Sequence, residues 1–230
     1  MSAVIPRLVL VPGLGLDRRS WSRLCRRVPA DVVLLPGMGR SAPVPPLDDL
    51  AAALRARVGE GPVVLAGHSQ GCQVVAAVAA GDERVAGVVL LGPSTDPRLR
   101  RPAVLASAWL RTALAERWWQ FPLVAAQWLT TGPQAMRALW RVAAPDRIDE
   151  RLRAVPVPVT VVRGTRDRLC DAGWAAAVAA AAPSGRLVEL PGAAHMTVQT
   201  HPDEVAAVLL AALAAAAARG RGGAARGVSP

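Results

Sequence analysis

The chain has 230 residues, 52% of them hydrophobic, and a formal net charge of +10. That length and apolar content exclude a disordered chain and allow one large buried core with an inserted segment. All 27 basic residues are arginine and lie scattered, without interleaved aromatics, in a chain rich in Ala, Gly and Pro. The excess charge therefore reads as compositional bias, and a nucleic-acid footprint is set aside.

Arg7–Val11 is a continuous apolar run, as a strand buried on both faces of a parallel sheet requires. Pro12-Gly13-Leu14-Gly15-Leu16 breaks it. Ser20–Val28 is expected as a helix, with Trp21 and Leu24 turned to the core. Val32–Leu35 reads as a second strand, ended by Pro36-Gly37-Met38-Gly39-Arg40-Ser41. Leu47–Val58 carries Leu50, Leu54 and Val58 at helical spacing. Val63–Gly67 is a third strand, and the sequence from Gly71 on is an Ala/Val helix. Val85–Leu91 is a fourth strand, closed by Gly92-Pro93-Ser94.

The composition then changes. Residues 95–153 show no strand signal and hold five of the seven tryptophans. Leu105/Trp109, Val124/Trp128 and Met136/Trp140 are spaced four apart, so three or four short helices are expected, punctuated by Pro102, Pro122, Pro133 and Pro145. Alternation resumes with a strand at Val157–Val162, a helix at Ala172–Ala182 and a strand at Arg186–Leu190. Pro202 suits the first turn of the last helix. The Arg/Gly-rich residues 219–230 are expected to be a disordered tail.

Cys25, Cys72 and Cys170 are odd in number and widely spaced, which makes neither a disulfide framework nor a metal site. Met1–Arg7 lacks the basic and apolar regions of a leader, and Val205–Ala218 is too weakly hydrophobic to span a bilayer. A cytoplasmic location is the default expectation.

Strands alternating with helices imply a parallel sheet with right-handed crossovers, whose sites lie outside the carboxyl ends of the strands. Four chemically suggestive stretches fall at such ends: Pro12–Leu16, Ser69, Asp167 and His195. Ser69 is the apex of Gly67-His68-Ser69-Gln70-Gly71, a G-x-S-x-G turn between strand and helix. A serine hydroxyl needs a base, and the base needs an acceptor that fixes its tautomer. His195 is the best base, while His201 is expected at the surface and His68 points away from Ser69. Asp167 is the best acceptor, with Asp96 as its rival and a capping role in a turn as its bland alternative. Two backbone N–H groups should receive the oxyanion, those of Leu14 and Gln70.

The chain resembles the α/β-hydrolase superfamily over nearly its whole length. Leu8–Asp17 followed by Trp21 looks like its oxyanion loop, Leu35–Ser41 like its second Gly-rich turn, and Gly164–Asp167 and Gly192–His195 like its acid and base loops. The order Ser69…Asp167…His195 is that of this superfamily. The resemblance implies a mostly parallel sheet of about six strands flanked by helices, a core of residues 1–94 and 154–218, and a helical lid of residues 95–153 inserted after the fourth strand. It implies a serine esterase that needs no cofactor and no metal. The substrate would be a small ester or thioester with an apolar acyl or alcohol part, or an acyl group on a carrier protein. Two departures stand out: Pro12 replaces the usual His, and the amino-terminal antiparallel hairpin has no room. Trp109, Trp118, Trp128 and Trp140 either pack the lid's own core or line an acyl pocket. Fold and triad also admit a lyase, a cofactor-free haloperoxidase or a cyclase and, with less support, a binding protein.

Overall fold

The computed structural model describes residues 5–226. Among the described residues six strands form one sheet in the order β2-β1-β3-β4-β5-β6. They are β1 (Arg7–Val11), β2 (Asp31–Val32), β3 (Val63–His68), β4 (Val85–Leu91), β5 (Val159–Gly164) and β6 (Gly185–Leu190). Every pairing is parallel. Successive side chains point to opposite faces, so each apolar run feeds two cores. Val9, Leu65, Val88 and Val161 face one cluster, with α1 (Leu47–Arg55), α2 (Gly71–Ala79) and α7 (Ala172–Ala181) packed on it. Leu8, Leu10, Val64, Ala66, Val89 and Leu91 face the other, which Trp21, Leu24 and α9 (Pro202–Arg226) cover. Each fully buried Leu or Val is worth about 1.5–3 kcal/mol, which is why these two residues make up most of β1 and β4.

Between β4 and β5 lie α3 (Pro102–Ala115), α4 (Gln120–Thr131), α5 (Pro133–Ala143) and α6 (Ile148–Leu152). Hydrogen bonds tie this insertion to the core at chosen points. Gln70 and Gln73 of the β3–α2 junction donate to the carbonyls of Leu139 and Ala143 in α5, each at 2.9 Å. From α4, Gln127 accepts the Asp17 N–H at 2.8 Å, and Thr131 donates to the Gly15 carbonyl at 2.9 Å. No side chain of residues 102–111 makes a hydrogen bond to the core. No helix among the described residues is long and apolar enough to cross a membrane.

Three expectations change. Residues 18–28 form a 3₁₀ turn at Arg18–Trp21 and further turns, not a regular helix. The bonds there mix three- and four-residue spans, yet Trp21, Leu24 and Val28 still face the core. The second strand shrinks to Asp31–Val32, because it pairs on one side only and reaches Leu10 with its last bond, from the Val33 N–H. Residues 219–226, expected to be disordered, continue α9, and Arg219 reaches back to the Ala86 carbonyl. Residues 227–230 lie outside the described residues.

Candidate active site

Ser69 has φ 52°, a left-handed conformation that a side chain resists. Its neighbours hold it there. The Ser69 N–H donates to the Leu91 carbonyl at 2.8 Å, and its carbonyl accepts from Cys72 at 3.0 Å. A Cβ on Gly67 would stand 2.5 Å from the Gly71 carbonyl carbon, and one on Gly71 would stand 2.5 Å from the Val11 oxygen. The strand and helix can thus close this sharply only because both flanking residues lack a side chain. Cys72, one turn on, is fully buried, and burial pushes its thiol pKa up, so it remains an inert packing residue.

At the far end of the sheet the Nδ1–H of His195 donates to Asp167 Oδ2 at 2.7 Å. Asp167 is completely buried, and its Oδ1 accepts the N–H groups of Leu169 and Cys170 at 2.8 and 3.1 Å. Burial opposes a charge on His195, but the Asp167 charge and hydrogen bond, with a smaller part from Glu116, outweigh it and raise the imidazole pKa. The ring is thereby fixed with Nδ1 protonated and Nε2 free to act as a base. Asp96 is not a rival acid. Arg98 holds its carboxylate through Nε and Nη2 at 2.8 and 2.6 Å, and it caps the turn that follows β4. His201 bonds Thr200 at the surface side, away from the cavity. His68 is buried, donates from Nε2 to the His195 carbonyl at 3.1 Å, and has its pKa lowered to about 3 by burial and then by His195.

Ser69 and His195 line the same cavity, of about 710 Å³. Their side chains are not directly bonded, and the ring of His195 has Asp167 as its one partner. Such contacts often tighten only when substrate binds. Among the described residues the N–H groups of Leu14 and Gln70 have no acceptor, and both residues line the cavity beside Ser69. Trp128 of α4 fixes the Leu14 loop by donating from Nε1 to the Leu14 carbonyl at 3.1 Å. The insertion thus braces the loop that Pro12 opens. A serine hydroxyl, an imidazole oriented by a carboxylate and two N–H groups on one wall are the parts that acyl transfer uses.

Of the four tryptophans considered for the pocket, Trp109, Trp128 and Trp140 line it. Trp118 does not: it is 80% exposed, on the outer side of the turn between α3 and α4, and Phe121 takes the place inside. The remaining wall is mostly aliphatic, with Leu16, Leu99, Leu105 and Val124 among its members.

Several site residues had no signal at the level of motif. Arg163 is a buried arginine inside β5 that donates to the carbonyls of Cys170, Thr165 and Asp167 and pairs with Glu189, so it shapes the acid loop. Thr165 accepts the Gly192 N–H at 2.9 Å, while the Arg166 N–H donates to Ala193 at 2.8 Å, which stitches the acid loop to the base loop. A charge within an apolar run was the only available hint.

The chain is 28% identical, over 90% of its length, to Polyketide synthase ThaQ of Burkholderia thailandensis, and it spans 12% of that protein's length. Among solved structures it is similar to a thermophilic esterase, with a TM-score of 0.75, 19% identity and coverage of 91% of this chain and 90% of that one. It is also similar to a malate-bound esterase from Thermogutta terrifontis, with a TM-score of 0.72, 22% identity and coverage of 92% and 90%. The profile of the alpha/beta hydrolase family matches residues 8–208, so the sheet, the tight serine turn and the acid–base loops have a common origin: the chain belongs to the alpha/beta hydrolase family.

Proposed function

We propose that this protein is a serine hydrolase that cleaves an ester or thioester with an apolar acyl or alcohol part. Ser69 attacks the carbonyl carbon as His195 takes its proton, and Asp167 holds the imidazolium. The N–H groups of Leu14 and Gln70 receive the oxyanion, each worth about 2.7–4 kcal/mol in the transition state. His195 then gives its proton to the leaving group, and water enters by the same route to release the acid from Ser69. The observation that carries the reading is the Asp167–His195 bond on the wall that also holds the strained Ser69. The apolar lining favours an acyl chain over a sugar or a peptide. The chemistry calls for no cofactor and no metal.

A thioester whose acyl chain is held by a carrier protein is a second reading, supported by the likeness to a stretch of a polyketide synthase. The test is turnover of p-nitrophenyl esters, and of acyl thioesters of N-acetylcysteamine, by the wild type and Ser69→Ala. Loss of such a serine costs on the order of a million-fold in kcat, so equal rates for the two proteins refute the proposal. The ratio of thioester to ester turnover chooses between the two readings.

A further inference from the structure

Asp167 already satisfies Nδ1 of His195, and acyl transfer asks for no second carboxylate. One is nevertheless present. Glu116 ends α3, and its Oε1 accepts the Met196 N–H at 2.7 Å. Met196 directly follows the base in the chain. The other oxygen, Oε2, is buried without a protein partner. Four residues on, Gln120 donates to Gln199 Oε1 at 3.1 Å and accepts the Arg117 N–H at 2.9 Å. The turn between α3 and α4 therefore grips the segment that carries the base at two points.

Glu116 is half-buried on the cavity wall, where a carboxylate oxygen held out of water without a partner is costly, and a glutamine could accept the same N–H without charge. The charge itself has an evident target. Its field falls on His195 and, with that of Asp167, favours the protonated ring against burial. Burial raises the Glu116 carboxyl pKa, and the Met196 N–H and the charge of His195 offset only part of that rise.

We propose that Glu116 is a positioning residue for His195: from the inserted helices it fixes the backbone beside the base and presents a second negative charge to the imidazole. This rests on the reading of His195 as the base. The titratable groups that face His195 are Asp167 from the loop after β5, His68 from the end of β3, and Glu116. The segment α8 (Thr197–Thr200) contributes only neutral side chains. During attack the imidazole gains a proton from Ser69 Oγ, and two carboxylates, rather than one, balance the charge it acquires.

The test uses the full chain with p-nitrophenyl butyrate between about pH 5 and pH 9, comparing wild type, Glu116→Ala, Glu116→Gln and Ser69→Ala. Glu116→Ala is expected to lose about tenfold to a hundredfold in kcat with KM little altered, because the base is no longer held in place. Glu116→Gln keeps the acceptor for Met196 and should recover most of that loss. Its acid limb of kcat/KM should nevertheless lie at lower pH than that of the wild type, because a charge that favoured protonated His195 is gone. A purely structural role would leave that limb where it is. An unmoved limb in Glu116→Gln overturns the proposal, as does a loss confined to KM. If Glu116→Ala does not fold, the limb of Glu116→Gln decides. If Ser69→Ala is as active as the wild type, the underlying reading fails and takes this one with it. If Ser69→Ala is inactive and the limb is unmoved, only the role of Glu116 falls.

Discussion

Gly71→Ala probes whether the serine turn is held by backbone closeness. A Cβ at position 71 would lie 2.5 Å from the Val11 oxygen and 2.6 Å from the Pro12 oxygen. Both are main-chain atoms at the end of β1, where the chain enters the Leu14 loop, so neither can rotate aside. The contact must open by roughly 1 Å, which parts α2 from β1. Overpacking of this kind costs about 1–3 kcal/mol. At about 2–4 °C per kcal/mol for a domain of this size, the melting temperature should fall by about 2–12 °C. The same shift separates Ser69 from the N–H of Leu14, and a displacement of about 1 Å can cost a hundredfold in rate. Gly87→Ala is the control. Its Cβ would meet nothing nearer than Val64 Cγ2, at 3.6 Å, and its backbone is not left-handed. It should be neutral, or gain about 0.4–1 kcal/mol from a stiffer unfolded chain. Thermal melting and the rate of Ser69 labelling by a fluorophosphonate measure both effects. A Gly71→Ala protein that melts within about 1 °C of the wild type and labels at the same rate refutes the reasoning.

Two more outcomes follow from groups already described. With its pKa lowered to about 3, His68 stays neutral in the fold while the unfolded chain takes up its proton below about pH 6.5, so its contribution is present above that pH and is lost as pH falls toward 3. His68→Gln should remove about 3 kcal/mol of the stability difference between pH 7 and pH 4 in urea denaturation, the raised His195 being common to both proteins; equal pH dependence would contradict this. Trp118→Ala should change stability and turnover by under about 0.5 kcal/mol, as an exposed side chain does, whereas Trp109→Ala should lower kcat/KM for octanoate relative to acetate esters by about 1–3 kcal/mol. A matching loss in Trp118→Ala would show that the pocket wall extends to that turn.

Sequence was most informative where burial is two-sided. β1, β3 and β4 declare themselves because both faces of each are packed, so their apolar runs are nearly unbroken, while β5 keeps its apolar run despite Thr160 and Arg163. Arg163 shows the other side of that rule: a charge in such a run is kept by carbonyls that only the folded loop brings near. The loops that hold Ser69, Asp167 and His195 were legible because each carries a required glycine, Gly71 and Gly164 at close backbone approaches and Gly192 at a positive φ. Residues 18–28 misled because a spacing of three or four fits successive turns as well as a helix. Trp118 misled because hydrophobicity says nothing about which side of a turn faces inward. Glu116 had no signal at all, since its partner is a backbone N–H 80 residues away.

The inserted helices are moored unevenly. Gln70 and Gln73 rope α5 to the helix behind the serine, and Gln127, Trp128 and Thr131 rope α4 to the Leu14 loop. Each rope cut in a dry interior costs about 1 kcal/mol, and more if a partner is stranded. The first turns of α3, from Pro102 to Arg111, carry no such line, and there Leu105, Ala106 and Trp109 roof the cavity by apolar contact. That stretch is therefore the least costly part of the roof to move aside, and changes to its small and aromatic residues are expected to alter the entry of a substrate before they disturb the groups beneath.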